Sequence, residues 1–278
     1  MSKTKENGLN PRVLRLTEGA VMLALATVLS FVKIIDLPYG GSVTAAAALP
    51  LVLLAYRHGV GFGLFAGLAY GLLQLTFSSS LSYVTGFWSV AAVVVLDYVV
   101  AFAVVGFAGT FRRMKNQSAA LMWGSILYGV LRYVLHVISG ATVWAGISIP
   151  TAAALVYSFG YNATYMIPET IIGAAAAYFL GSVLNFRSDV PGRLAVKKTQ
   201  GTGMLTALAV GLVTAAVVYD TAAIFRHTQD AETGKFTFDG LTTLNWTPML
   251  ILTAAAVLAA VALALVVRKK KASAEAAE

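Results

Sequence analysis

Long apolar runs recur along the whole chain, separated by short polar stretches. They fall near residues 17–35, 44–56, 60–77, 89–110, 119–139, 151–184, 203–222 and 247–267. A helix needs about 20 mostly apolar residues to cross a bilayer. The second run is short and the sixth is long. The runs are rich in Ala, Leu and Val with scattered Gly and lack a period of two, so they suit helices rather than barrel strands. The pattern predicts an all-α, polytopic membrane protein of eight helices.

The polar stretches carry the charge. Lys3, Lys5, Arg12 and Arg15 precede the first run, and Arg57 follows the second. Arg112, Arg113 and Lys115 follow the fourth, Arg187, Arg193, Lys197 and Lys198 the sixth, and Arg268, Lys269, Lys270 and Lys271 the eighth. These are 16 of the 20 Lys and Arg residues, and all fall on one side if eight helices alternate. Basic loops stay cytoplasmic, so both termini are expected inside. The opposite loops carry Asp36, Asp230, Glu232 and Asp239.

Composition agrees. The chain of 278 residues is 58% hydrophobic and 12% charged. A soluble domain carries about 25% charged residues, so most of this surface must face lipid. The net charge of +8 orients the protein in the bilayer and does not imply nucleic acid. With no cysteine, disulfides, thiolate catalysis and Cys-based metal sites are excluded. The first apolar run is only the first of many, so it is not a cleavable signal peptide.

Three parts follow: a six-helix core at 1–185, a cytoplasmic linker at 186–202 with Pro191, Gly192 and a Lys-Lys pair, and a two-helix transmembrane extension at 203–278 with a basic tail. The extension's helices are joined by an external loop of roughly 20 residues, longer than usual connections.

Ionisable groups inside a bilayer are costly and are functional candidates by default. Asp97 lies in the fourth helix, Arg132 and His136 in the fifth, and Tyr157, Ser158, Tyr161, Asn162, Tyr165 and Glu169 in the sixth. Arg132 and His136 are four apart and share a face. Spacings of three and four do the same for the sixth helix. At about 1.5 Å per residue, Asp97, His136, Tyr157 and Asn162 reach a similar depth in the outer half of the membrane. That describes a pocket opening outward. Structural readings stand beside it. Asp97 and Arg132 could form a buried ion pair. Tyr98, Tyr133 and Trp88 could be interfacial belt residues. Asn162 could bond helix to helix. The convergence of these groups, rather than any one of them, favours a site. An acid, a neutral His, an amide and several aromatic rings suit a flat cation with hydrogen-bonding edges.

Several stretches together carry a resemblance. They are Arg15-Leu-Thr-Glu-Gly-Ala-Val-Met-Leu-Ala-Leu-Ala, Tyr39-Gly-Gly-Ser-Val-Thr, Leu49-Pro50, Tyr56-Arg-His-Gly, Leu96-Asp97-Tyr98, Ala101-Phe102, Arg132-Tyr-Val-Leu-His136-Val-Ile-Ser-Gly140 and Tyr157-Ser-Phe-Gly-Tyr-Asn162-Ala-Thr-Tyr-Met-Ile-Pro168-Glu169. Over residues 12–184 the chain resembles the thiamine-specific S components (the ThiT family) of energy-coupling-factor, or ECF, vitamin transporters.

The resemblance implies that Asp97 faces the thiazolium and that Tyr98 and His136 hydrogen-bond the ligand. Trp144 would stack on it, with Gly140 allowing close approach. Tyr157 and Asn162 would hold the aminopyrimidine. Tyr39 would belong to a lid, and Tyr70 stands where the family often has Trp. The implied partners are a T component and two ATPase subunits, with Ala20 and Ala24 on the T-component contact. No cofactor or metal is implied. The last two helices depart from the six-helix family pattern.

The chain has no G-x-x-x-x-G-K-[ST] loop to bind ATP phosphates, as an S component would not. It also lacks H-E-x-x-H, G-x-S-x-G and paired-carboxylate motifs, so an enzyme is not expected. The remaining alternatives are an S component for another vitamin or thiamine precursor, and a standalone transporter with Asp97 and His136 as proton relays.

Overall fold

The structure is a computed structural model. It describes residues 10–37, 40–78, 80–143, 151–188, 191–194, 201–229 and 236–276. Eight helical segments lie among them: α1 (Pro11–Ser30), α2 (Leu49–His58), α3 (Val60–Phe77), α4 (Phe87–Arg113), α5 (Gln117–Thr142), α6 (Ala152–Val183), α7 (Thr202–Thr228) and α8 (Trp246–Ala276). All except α2 are long and apolar enough to cross a membrane, and the chain is a multi-pass membrane protein.

Local chemistry marks several of the ends. The side chains of Asn10, Asn116 and Thr151 each accept a backbone N–H in the first turn of α1, α5 and α6. These bonds satisfy donors that no helical carbonyl can reach. Gly59, at φ +91°, joins α2 to α3 in a single residue. Only glycine adopts that conformation without strain.

The second apolar run is the one that departs from expectation. Its helix has ten residues, about 15 Å at 1.5 Å per residue, half of what a crossing needs. A hairpin, β1 (Lys33–Asp36) against β2 (Ser42–Thr44), leads into the run, whose outer part is an irregular stretch to Ala48. Val43, Thr44, Ala46 and Ala47 are buried in protein. Non-helical backbone is tolerated at membrane depth only when so enclosed.

The basic loops converge at one end. Arg57 donates to the carbonyls of Phe186 (2.7 Å) and Ser188 (2.9 Å) and to both oxygens of Glu18. Arg187 donates to the Tyr56 hydroxyl (2.9 Å) and to the carbonyls of Met114 and Lys115. Loops far apart in sequence thus meet where the charge pattern places the cytoplasmic face.

Close packing positions α4. Gly63, Gly67 and Gly71 recur every four residues on α3. A Cβ at each would run into α4, at Gly106, at the Phe102 carbonyl and at the Tyr98 carbonyl respectively. Small residues at this spacing let helix backbones touch, and in lipid that contact is the main attraction between helices. Gly67→Leu should therefore destabilise the fold by about 3 kcal/mol or more, the upper end for overpacking, because the obstacle is backbone. Gly61→Leu is the control, since a Cβ there meets open space. Thermal unfolding in detergent checks this; equal melting temperatures for the two variants would refute it.

Candidate functional site

A cavity of about 540 Å³ opens at the end opposite the basic loops, among α3, α4, α5, α6, the β1–β2 hairpin and the α3–α4 connection. Asp97, Tyr98, Tyr70 and His136 line it, as do Gly140, Tyr157 and Asn162. Seven expected site residues from four helices therefore face one space. Trp144 and Tyr39 lie outside the described residues.

Asp97 and Tyr98 sit in a π-helical stretch of α4, Val94–Val100. Such widened turns often occur at functional sites. Asp97 is 6% exposed. Its Oδ1 lies 3.0 Å from His136 Nδ1, and its Oδ2 accepts from the Ser139 hydroxyl at 2.8 Å. This corrects one expected alternative: these contacts from α5 hold Asp97, while the Arg132 guanidinium lies over the Phe102 ring, 4.7 Å from its centroid.

The His136 contact sets what the ring presents to the cavity. With Nδ1 turned to Asp97, Nε2 is the ring nitrogen left for other partners. That Nε2 is buried with no hydrogen-bond partner among the described residues, as are Gln74 Nε2 and Arg132 Nε. All three residues line the cavity. Buried polar atoms are normally bonded, so these three give the cavity wall hydrogen-bonding capacity.

The other site residues are held by their neighbours. Asn162 Nδ2 donates to the Ser158 carbonyl (2.8 Å) and, at 3.4 Å, to the His136 carbonyl, and Asn162 Oδ1 accepts from the Tyr165 hydroxyl at 2.6 Å. It thus ties α6 to α5, the helix-to-helix role, while facing the cavity. Gly140 has a packing reason: a Cβ there would overlap Ser158 Oγ. The Tyr98 hydroxyl shares a short hydrogen bond with Ser78, and Tyr70 packs edge-on against Phe102, 5.1 Å between centroids.

Glu169 accepts from Thr44 at both oxygens, one bond from the backbone N–H and one from the hydroxyl, pinning β2 to α6. The acidic and basic side chains lining the cavity are Asp97, Glu169, Arg132, His136 and Lys33, the last paired with Asp36 at 3.0 Å.

Sequence reasoning missed four contributors. Ser139 lies three residues past His136 on the same face, so helical spacing could have found it. Gln74 is a polar residue in an apolar run, four after Tyr70, and carries the same signal. The aromatic contacts of Phe236 and Phe238 with Tyr157 have no local signal, because they join distant segments. Asp220, an acid inside α7, was also passed over; it accepts a hydrogen bond from Thr253 of α8. Ala20 and Ala24 lie on the exposed face of α1.

Comparison with known proteins identifies the family. The family described as Thiamine transporter protein matches residues 16–186. The thiamine transporter ThiT of Bacillus subtilis (strain 168) is 34% identical over 175 residues, covering 59% of this chain and 88% of that protein. A solved structure of ThiT from Listeria monocytogenes covers 62% of this chain and 95% of its own, with TM-score 0.51 and 24% identity, a likeness of fold. Residues 97–169, which hold most of the cavity's polar wall, lie within the matched region, and the chain belongs to the thiamine transporter family.

Proposed function

We propose that the protein is the high-affinity thiamine-binding S component of an ECF-type importer, capturing thiamine from outside and delivering it with a T component and two ATPase subunits. The family is one of transporters, not enzymes, and the protein belongs to the cell membrane. The observation that carries the reading is the buried Asp97 carboxyl, in contact with His136, on the wall of a cavity lined by aromatic rings. Thiamine supplies a fixed cation on one ring and hydrogen-bonding edges on the other. Aromatic walls from Tyr157 and Tyr161 suit flat rings and a cation.

The purified protein alone should bind thiamine tightly with no ATP present. Calorimetry is the measurement. No heat with thiamine but heat with another vitamin or a thiamine precursor would reassign the substrate. The Asp97–His136 contact also fits a proton relay, the element a standalone proton-coupled transporter requires. Proteoliposomes separate the two readings. Uptake driven by a proton gradient with this chain alone would overturn the ECF assignment, whereas uptake that needs ATPase subunits supports it.

A further inference from the structure

The extension lies beyond the family match, yet the outer loop between α7 and α8 reaches the cavity wall. Phe236 is only 4% exposed. Its ring stands edge-on to Tyr161, with centroids 5.2 Å apart and planes at 87°, and to Tyr157, at 5.6 Å and 89°. Phe238 packs edge-on against Phe236 (5.1 Å) and Tyr157 (6.2 Å). A Cβ on Gly160 would overlap the Phe238 ring, so Phe238 seats on the backbone of α6 between the two tyrosines. The base of the loop is tied to the end of α7: Phe236 bridges to Gln229, and the Thr237 N–H donates to the Thr228 carbonyl at 2.7 Å.

Tyr157 and Tyr161 both line the cavity, with parallel rings whose centroids are 6.4 Å apart. The Tyr161 hydroxyl accepts from the Gly41 N–H at 3.3 Å, which carries the contact on to the hairpin at the cavity mouth. Tyr157 is 41% exposed, and both phenylalanine rings pack against it. Holding a wall side chain in its bound rotamer before the ligand arrives removes an ordering cost from binding.

We propose that Phe236 and Phe238 are positioning residues of the ligand site: they fix Tyr157 and Tyr161, so the C-terminal extension sets how long the ligand stays. This rests on the thiamine-binding reading above. The extension is then a working part of the site and more than a membrane appendage.

The test uses the full chain in detergent, with thiamine as probe. Phe236→Leu/Phe238→Leu keeps apolar bulk and loses both ring edges; Phe238→Tyr keeps a ring. Affinity and dissociation rate are measured with the ligand-free melting temperature, for each variant alone and combined with Tyr157→Ala. The Leu pair should bind about 10- to 100-fold more weakly, mostly through faster dissociation, given the modest worth of each ring pair. Its ligand-free melting temperature should stay near wild type, Phe238→Tyr should restore binding, and the loss should largely vanish in the Tyr157→Ala background. A wild-type dissociation rate in the Leu pair overturns the inference, as does an equal fold-loss with and without Tyr157. A wild-type chain that does not bind thiamine overturns the functional reading itself, and this inference with it.

Discussion

Replacing Ala20 and Ala24 together with leucine is expected to reduce thiamine uptake to background while leaving thiamine binding intact. The argument starts from α1. Ala20 and Ala24 are one turn apart and exposed, and Val13, Leu16, Val21 and Val28 are exposed with them. The buried side of α1 is narrow: Ala26 is its one fully buried residue among the described ones. Most of its surface is therefore free for lipid or a partner helix. Two small residues at this spacing let another backbone approach closely, and van der Waals contact at that distance is what holds helices together in lipid. Leucine at both positions would hold the partner off along the whole seam. Of α1, only Ser30, its last residue, lines the cavity, and neither Ala20 nor Ala24 does, so binding should not change. Uptake would be measured in cells or vesicles with the complete ECF complex, and binding on the purified variant. Wild-type uptake in the double variant would remove these alanines from the coupling surface. Loss of binding along with uptake would mean that the leucines damage the fold.

The legible part of the fold was the part written in local pattern. The apolar runs gave the helices, seven of the described ones long enough to cross a membrane, and contacts such as Arg187 with Tyr56 and Met114 bring basic loops together at one end. What the pattern could not give was departure from regular helix. Residues 33–35 and 44–48 lie in apolar runs, but their backbone is a hairpin and an irregular stretch, held where Glu169, far along the chain, receives Thr44. The π-helical turn at Asp97 likewise has no sequence signature that spacing would reveal. Within the site, side chains separated by three or four positions were readable, and pairings between helices were not. Arg132 was one option for Asp97 by charge, but His136 and Ser139 on the next turn take that place. The Gly63, Gly67, Gly71 series was present in the sequence and became meaningful only with α4 lying against it.

Asp97→Asn should weaken thiamine binding far more than it weakens binding of a neutral analogue with an uncharged ring in place of thiazolium. The carboxylate is buried at 6% exposure on the cavity wall. A ligand cation beside a poorly hydrated carboxylate is attracted much more strongly than it would be in water. Removing one partner of a desolvated charge pair costs about 2–5 kcal/mol, some 30- to 4,000-fold in affinity. Asparagine has the same size, and its Oδ1 can still accept a hydrogen bond from His136 Nδ1 or Ser139 Oγ, the groups that tie α4 to α5. The fold should therefore survive the change, and the wall would lose the Asp97 charge. A neutral analogue never had the attraction and should lose little. If Asp97 serves only to hold α4 against α5, both ligands should weaken alike and the ligand-free melting temperature should fall. Calorimetry with the two ligands on folded variant protein decides between these outcomes, and equal losses would assign Asp97 to the fold rather than to the cation.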